Sequence, residues 1–175
     1  MKKILPGRIF LFLFFITLFS AGCGYRFQGG ESNLSADIRS VAIPIFANVT
    51  IETGIESAVT RALIEKFTSA GRLALAGKDS ADTLLTGTVK SFVVSSVAVT
   101  TGTQIATGYR ATLTVEISFQ RQRDSKVFLK EEMSEWRNYL VASDLAVTET
   151  NKREAIRQIS ALLAERVHEM ILGNF

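Results

Sequence analysis

The firmest hydrophobic rhythm in the chain lies in its middle, where Tyr109, Ala111, Leu113, Val115, Ile117 and Phe119 alternate with Arg110, Thr112, Thr114, Glu116 and Ser118. A period of two sends these sets to opposite faces of a strand, one buried and one wet. The run before it repeats the pattern more loosely. Leu85, Val89, Val93 and Val97 are expected on the buried face, and Thr86, Thr88, Lys90 and Ser96 on the wet one. The Gly- and Thr-rich stretch TTGTQIATG, 100–108, joins the two as a hairpin. A third strand, 127–139, alternates poorly, which a bulge near Glu131 would explain.

Helical spacing flanks these strands. Ile51, Ile55, Ala58, Val59, Ala62, Leu63 and Phe67 share one helical face, and Gly71 closes it. Ala155, Ile156, Ile159, Leu162, Leu163, Val167, Met170 and Ile171 share another, with Asn151 and Glu154 as a capping box at its start and Gly173 at its end. Upstream, SVAIPIF (40–46) reads as a strand, and Pro44, which cannot donate to a ladder, puts it at a sheet edge. Residues 72–76 form a further short strand before a polar turn at 77–82. This order predicts an α+β fold: a mostly antiparallel sheet of four to five strands with two helices packed on one face, a two-layer sandwich.

The start of the chain has a different character. Lys2, Lys3 and Arg8 precede the apolar run IFLFLFFITLF (9–19), and small residues Ser20, Ala21 and Gly22 lead to Cys23, the only cysteine. A spanning helix needs about 20 apolar residues; this shorter run with a basic start is the pattern of a secretory signal peptide. Ending on a cysteine, it resembles a bacterial lipoprotein signal, with Cys23 acylated as the first mature residue. Ser20 stands where such signals usually carry Leu. The expected organisation is a signal at 1–22, a lipid-anchored linker at 23–38 and one domain at 39–175.

The signal also changes the charge argument. The net charge of +3 comes entirely from Lys2, Lys3 and Arg8, and the remaining 17 Lys and Arg match 17 Asp and Glu. A neutral mature chain lacks the long-range positive field that supports nucleic-acid binding, so no nucleic-acid partner is expected.

Catalytic chemistry is hard to assemble from these residues. One cysteine and one histidine, His168, cannot form a Cys–His pair with metal-ligand spacing. His168 falls among the core positions of the last helix, where a partly buried side chain is the simpler reading. Glu131 and Glu132 are adjacent on a strand and point to opposite faces. No enzyme, cofactor or metal is expected.

CGYRF after the signal, then IPIFANVT (43–50) and a helix opening IETGIESAVTRAL, resemble the LptE family of lipopolysaccharide-assembly lipoproteins. The resemblance covers nearly the whole mature chain. It implies an outer-membrane lipoprotein on the periplasmic face, paired 1:1 with an LptD-like β-barrel that it plugs and helps to assemble, and in contact with lipopolysaccharide. The wet sheet face agrees, because a large barrel has a polar lumen. In the family, basic residues in the loop between the long strands and before the last helix are thought to meet the lipid, yet 100–108 and 140–150 here contain none. The substitutes are Lys90 and Arg110 on the wet face and Arg121, Arg123 and Lys126 near the next turn; Lys152 and Arg153 lie further on. The alternative is a free-standing lipid-anchored periplasmic binding module with no barrel partner.

The anchor can be tested directly. Cys23→Ala is expected to leave the protein unacylated and to release it from the membrane fraction, because two or more acyl chains are what hold a domain on a bilayer. Mass spectrometry of the native N-terminus gives the answer, and an unmodified Cys23 would refute the assignment.

Overall fold

The computed structural model describes residues 37–99 and 106–173, with backbone alone at 98, 99 and 106; Cys23 and the signal lie outside the described residues. In chain order the elements are β1 (Ser40–Ala42), β2 (Ala47–Asn48), α1 (Ile55–Ala70), β3 (Ala74–Leu75), β4 (Thr83–Val99), β5 (Ala106–Arg121), β6 (Val127–Leu140) and α2 (Leu145–Gly173). The predicted α+β sandwich is present, but its sheet is mixed and six-stranded. Strands β4, β5 and β6 form an antiparallel meander, while β1 lies between β3 and β4 and runs parallel to both. Strand β2 also pairs with β4 in parallel. The stretch 40–46 is therefore no edge strand. It breaks at Pro44 into two short pieces, so the missing donor falls in the gap between ladders.

Both helices cover one face. Helix α1 lies toward β2, β3 and β4, and α2 over β5 and β6. Between helices and sheet sits one core, with Ile55, Val59, Leu63 and Phe67 from α1, Ile156, Ile159, Leu163, Val167 and Ile171 from α2, and Leu85, Val89, Leu113, Val115, Ile117 and Phe119 from the sheet. Ile51 departs from its predicted place. It precedes the helix and is fully exposed, since the chain turns through Gly54 (φ 86°) before α1 begins. Gly71 (φ 65°) ends α1 as expected, its N–H donating to the Phe67 carbonyl.

Strand β5 follows its alternation throughout, but β4 does so only as far as Val89. Val89 faces Val115 and Ser91 faces Thr114, so Lys90 is an extra residue without an opposite number. Such a bulge inverts the facing of the residues beyond it, here as far as Ser96, after which Val97 is a second extra residue. Phe92, opposite Leu113, packs against the core. Val93, opposite Thr112, is 55% exposed, and Val97 is also exposed. The expectation that Val93 and Val97 are buried and Ser96 lies on the wet face is thus wrong, and the bulge is the cause. Strand β6 shows the converse. Its bulge is at Phe128, where the register shifts, and pairing runs unbroken through Glu131. Charged residues on the helix side, Glu131, Glu135 and Arg137, are what disturb the apolar pattern. Arg166 of α2 reaches down to Glu135 to pair with it.

Helix α2 begins about two turns earlier than the capping box suggested. Asp144 caps it, its Oδ1 accepting the Ala146 N–H at 2.7 Å. Asn151 is inside the helix, and its amide donates to the Leu140 carbonyl at 2.9 Å.

One close approach fixes the position of the first strands. A Cβ added to Gly87, on the inner face of β4, would lie 2.1 Å from Cε2 of Phe46. Phe46 is buried and its N–H donates to Thr60 Oγ1 at 3.1 Å, while that hydroxyl donates to the Glu56 carbonyl at 2.7 Å. Gly87→Ala is expected to displace the ring and destabilise the domain by about 1–3 kcal/mol, the usual cost of overpacking a core. Chemical denaturation measures this, and an unchanged midpoint would show that the ring yields freely.

Candidate functional site

The face of the sheet turned away from the helices is built from the polar half of each strand. Thr86, Thr88, Ser91, Val93 and Ser95 of β4 stand opposite Ser118, Glu116, Thr114, Thr112 and Arg110 of β5. These in turn stand opposite Lys130, Glu132, Ser134, Trp136 and Asn138 of β6. Hydroxyls dominate the centre, where Thr114 and Ser134 share a hydrogen bond of 2.7 Å. The charges are few and of both signs.

Near one end the composition changes. The Arg110 guanidinium stacks on Trp136 at 4.2 Å from the ring centroid, and its Nε donates to Asn138 Oδ1 at 3.1 Å. Trp136 remains 47% exposed. Stacking and the Nε bond orient the planar group while using one of its five donors, and no carboxylate pairs with it among the described residues. The result is a rigid cation beside an exposed aromatic surface. Trp136 and Asn138 were missed in the sequence reading. Trp136 is the only tryptophan and sits in phase with Ser134 and Asn138, but the charged residues of β6 hid that phase.

The other predicted basic residues are not part of this platform. Lys90 is exposed at the bulge, level with Thr114 and Val115, roughly 14 Å along the strands from Arg110. Arg121, Arg123 and Lys126 lie at the opposite end of β5, roughly 35 Å from Arg110. There Arg121 pairs with Asp124 at 3.3 Å, its side chain only 14% exposed. Arg123 pairs with Asp37 at 2.8 Å. Lys126 approaches the Phe128 ring at 5.8 Å, and Arg121 the same ring at 5.2 Å. The five candidates are therefore spread along the sheet, with Arg110 near one end, Lys90 at mid-strand and Arg121, Arg123 and Lys126 at the other end, where the turn group is engaged in its own contacts.

On the helix side, the IPIFANVT segment organises a polar knot. Asn48 donates to the Glu52 carbonyl and to Glu56 Oε2, both at 2.8 Å, and its Oδ1 accepts from the Thr50 N–H and hydroxyl. Glu52 then pairs with Lys152 at 3.1 Å, and Lys152 with Glu149 at 2.9 Å. Burial alone would lower the Lys152 pKa, but the hydrogen bonds it donates to Glu149 and Glu52 outweigh it and hold the ammonium charged. Burial raises the Tyr139 hydroxyl, partly offset by Lys152. Beside the knot, between α1 and α2, is a groove of about 590 Å³ floored by Ala58, Ala62, Ile156 and Ala161. His168 sits edge-on to Phe67 at 5.1 Å, with its pKa lowered first by burial and then by Lys66 and Arg72. Among the described residues no three His, Cys, Asp or Glu side chains converge as a metal site. None of the described helices is long and apolar enough to cross a membrane.

The sequence model of the family described as LptE, lipopolysaccharide-assembly, matches residues 38–171. The chain belongs to the LptE family. Its fold is shared with rare lipoprotein B from Shewanella oneidensis, at a TM-score of 0.54 and 14% identity, covering 77% of this chain and 96% of that one. A minor lipoprotein from Acinetobacter baumannii gives a TM-score of 0.51 at 13% identity, covering 78% of this chain and 92% of that one. No curated protein matches the sequence. In this LptE chain the knot built from Asn48, Thr50 and Lys152 accounts physically for the segment that carried the resemblance.

At the base of the sheet Asp82 ties β4 to β1. Its Oδ2 accepts the N–H groups of Arg39 and Ser40 at 3.0 Å each and the Ser40 hydroxyl at 2.7 Å. The Arg39 backbone bond, then the Ser40 hydroxyl, lower its pKa below the ordinary aspartate value. The ionised form is therefore favoured by folding, and its contribution is complete above the unfolded pKa and lost as pH falls through the lower folded one. Asp82→Asn is expected to be less stable than wild type at pH 6–7, with the gap closing below about pH 4. Thermal melts across that range test it; a gap independent of pH would remove the carboxylate's charge from the account.

Proposed function

We propose that this LptE chain is a lipopolysaccharide-assembly protein of the outer membrane, anchored at the periplasmic face through acylated Cys23 and seated 1:1 in the lumen of an LptD-like barrel. It acts by fitting and positioning, with no covalent chemistry of its own. The observation that carries this reading is the outer sheet face. It is wide, open, rich in hydroxyls and balanced in charge, which suits a surface that meets a polar barrel wall and lumen water. Threonine and serine can donate or accept, so they find partners on such a wall without leaving a buried charge.

The same face supplies a contact for the lipid. Lipopolysaccharide joins anionic groups to apolar chains, and Arg110 on Trp136, with exposed Val93 in the same row, offers both chemistries side by side. Lys90 adds a second exposed cation along the path. Arg121 and Arg123 contribute less, since each is already held by an aspartate.

Two measurements test the reading. Co-purification after mild detergent extraction is expected to recover the barrel partner, whereas recovery of the chain alone would favour the free-standing binding module. Lys90→Glu with Arg110→Glu is expected to leave the domain folded while lowering lipopolysaccharide affinity by about tenfold or more, the scale of losing one charge-assisted contact. Added salt is expected to weaken the wild-type contact by screening. Unchanged affinity in the double variant would remove Lys90 and Arg110 from the lipid site and leave the plug role alone.

A further inference from the structure

The sheet ends on β6, and among the described residues no strand pairs with its outer edge. Two contacts show which residues present that edge. The Val141 N–H donates to the Thr107 carbonyl at 3.2 Å, in register with the β5–β6 ladder. Hydrogen-bonded pairs alternate along an antiparallel ladder, so odd-numbered residues direct their backbone groups at β5. Even-numbered residues from Lys130 to Leu140 direct theirs outward. Two of those outward carbonyls are already occupied by side chains. Arg137 Nη1 donates to the Trp136 carbonyl at 3.0 Å, and Asn151 Nδ2, from α2, donates to the Leu140 carbonyl at 2.9 Å.

We infer that the outer edge of β6 is a latent strand-pairing surface for a second copy of this chain, held closed by Arg137 and Asn151. The residues along the edge favour that occupant. Antiparallel pairing about a twofold axis at Ser134 sets Leu129 opposite Tyr139, Lys130 opposite Asn138, Glu131 opposite Arg137, Glu132 opposite Trp136 and Met133 opposite Glu135. No like charges meet in this register, whereas the one centred on Glu135 sets that carboxylate against itself. The opposite edge of the sheet, β3, has only two residues and offers no comparable template. The inference does not depend on the barrel or on the lipid.

The test uses the full-length chain in mild detergent, with mass measured by light scattering after size-exclusion chromatography at one protein concentration. Wild type is expected to be a monomer, and Arg137→Thr with Asn151→Ala to run at twice that mass. Adding Ser134→Pro is expected to restore the monomer, because proline there deletes an outward N–H and none of the backbone ladder bonds to β5, at the cost of the exposed side-chain bond to Thr114. A double variant that keeps the wild-type circular dichroism and stays monomeric overturns the inference. So does a dimer that survives Ser134→Pro, or a wild type that is already dimeric. Asn151→Ala alone, which removes one guard from a helix surface, is expected to give a partial shift to dimer and carries the test where the double variant does not fold.

Discussion

The contact between the Phe46 ring and the bare Cα of Gly87 is the constraint on which the rest of the fold depends. The two short strands before α1 have five paired residues between them, too few to hold a position by ladder bonds alone. Phe46 supplies what they lack. Its ring occupies the place a β4 side chain would take, and its N–H is held by Thr60. With the ring seated, Asn48 is brought to the start of α1, and through Glu52 and Lys152 the same corner reaches α2. The first strands, both helices and the centre of the sheet are thereby locked to one point. The exposed pairs elsewhere, such as Arg123 with Asp37, contribute only about 0–1 kcal/mol each and cannot substitute for it.

The meander beyond that point carries the second theme, which is the control of facing. A single inserted residue, Lys90, lets one strand serve the core along its first half and then present Val93 to the opposite side. Without the bulge, Phe92 would point outward, and the core would lose a large side chain packed against it. The bulge thus reconciles a long strand with a short helical layer. It also places valine in the same row as Thr112 and Trp136, so the apolar spot on the outer face follows from how the inner face is filled.

Much of this was legible from side-chain order alone, and the exceptions are instructive. Strand β5 is central, flanked on both sides, and each of its residues has one environment, so alternation reported it fully. Beyond Val89 alternation failed in β4 because a bulge changes phase without changing composition. In β6 the edge position allows Glu131, Glu135 and Arg137 on the helix side, where α2 can answer Glu135 with Arg166. The start of α2 was misplaced because Asn151 and Glu154 satisfy a local capping rule, while the true cap, Asp144, depends on where β6 releases the chain. Pro44 suggested an edge because its effect was assigned to a whole strand, although it acts at one gap. For the candidate site, Arg110 could be read from its place on the wet face. Its partner Trp136 is distant in sequence and could be found only once the register of β5 and β6 was known.

The parallel pairing of β1 with β4 has a kinetic consequence. Val41 lies opposite Thr83 and Ala42 opposite Leu84, so each bridge closes a loop of some forty residues. The turns of the meander close far shorter loops, and pairings of high sequence separation carry the larger entropic cost before any contact rewards them. Chain synthesis delivers β1 before the strand it must join. The ladder between β1 and β4 therefore cannot form until β4 has been made, and only then can Phe46 enter the space above Gly87.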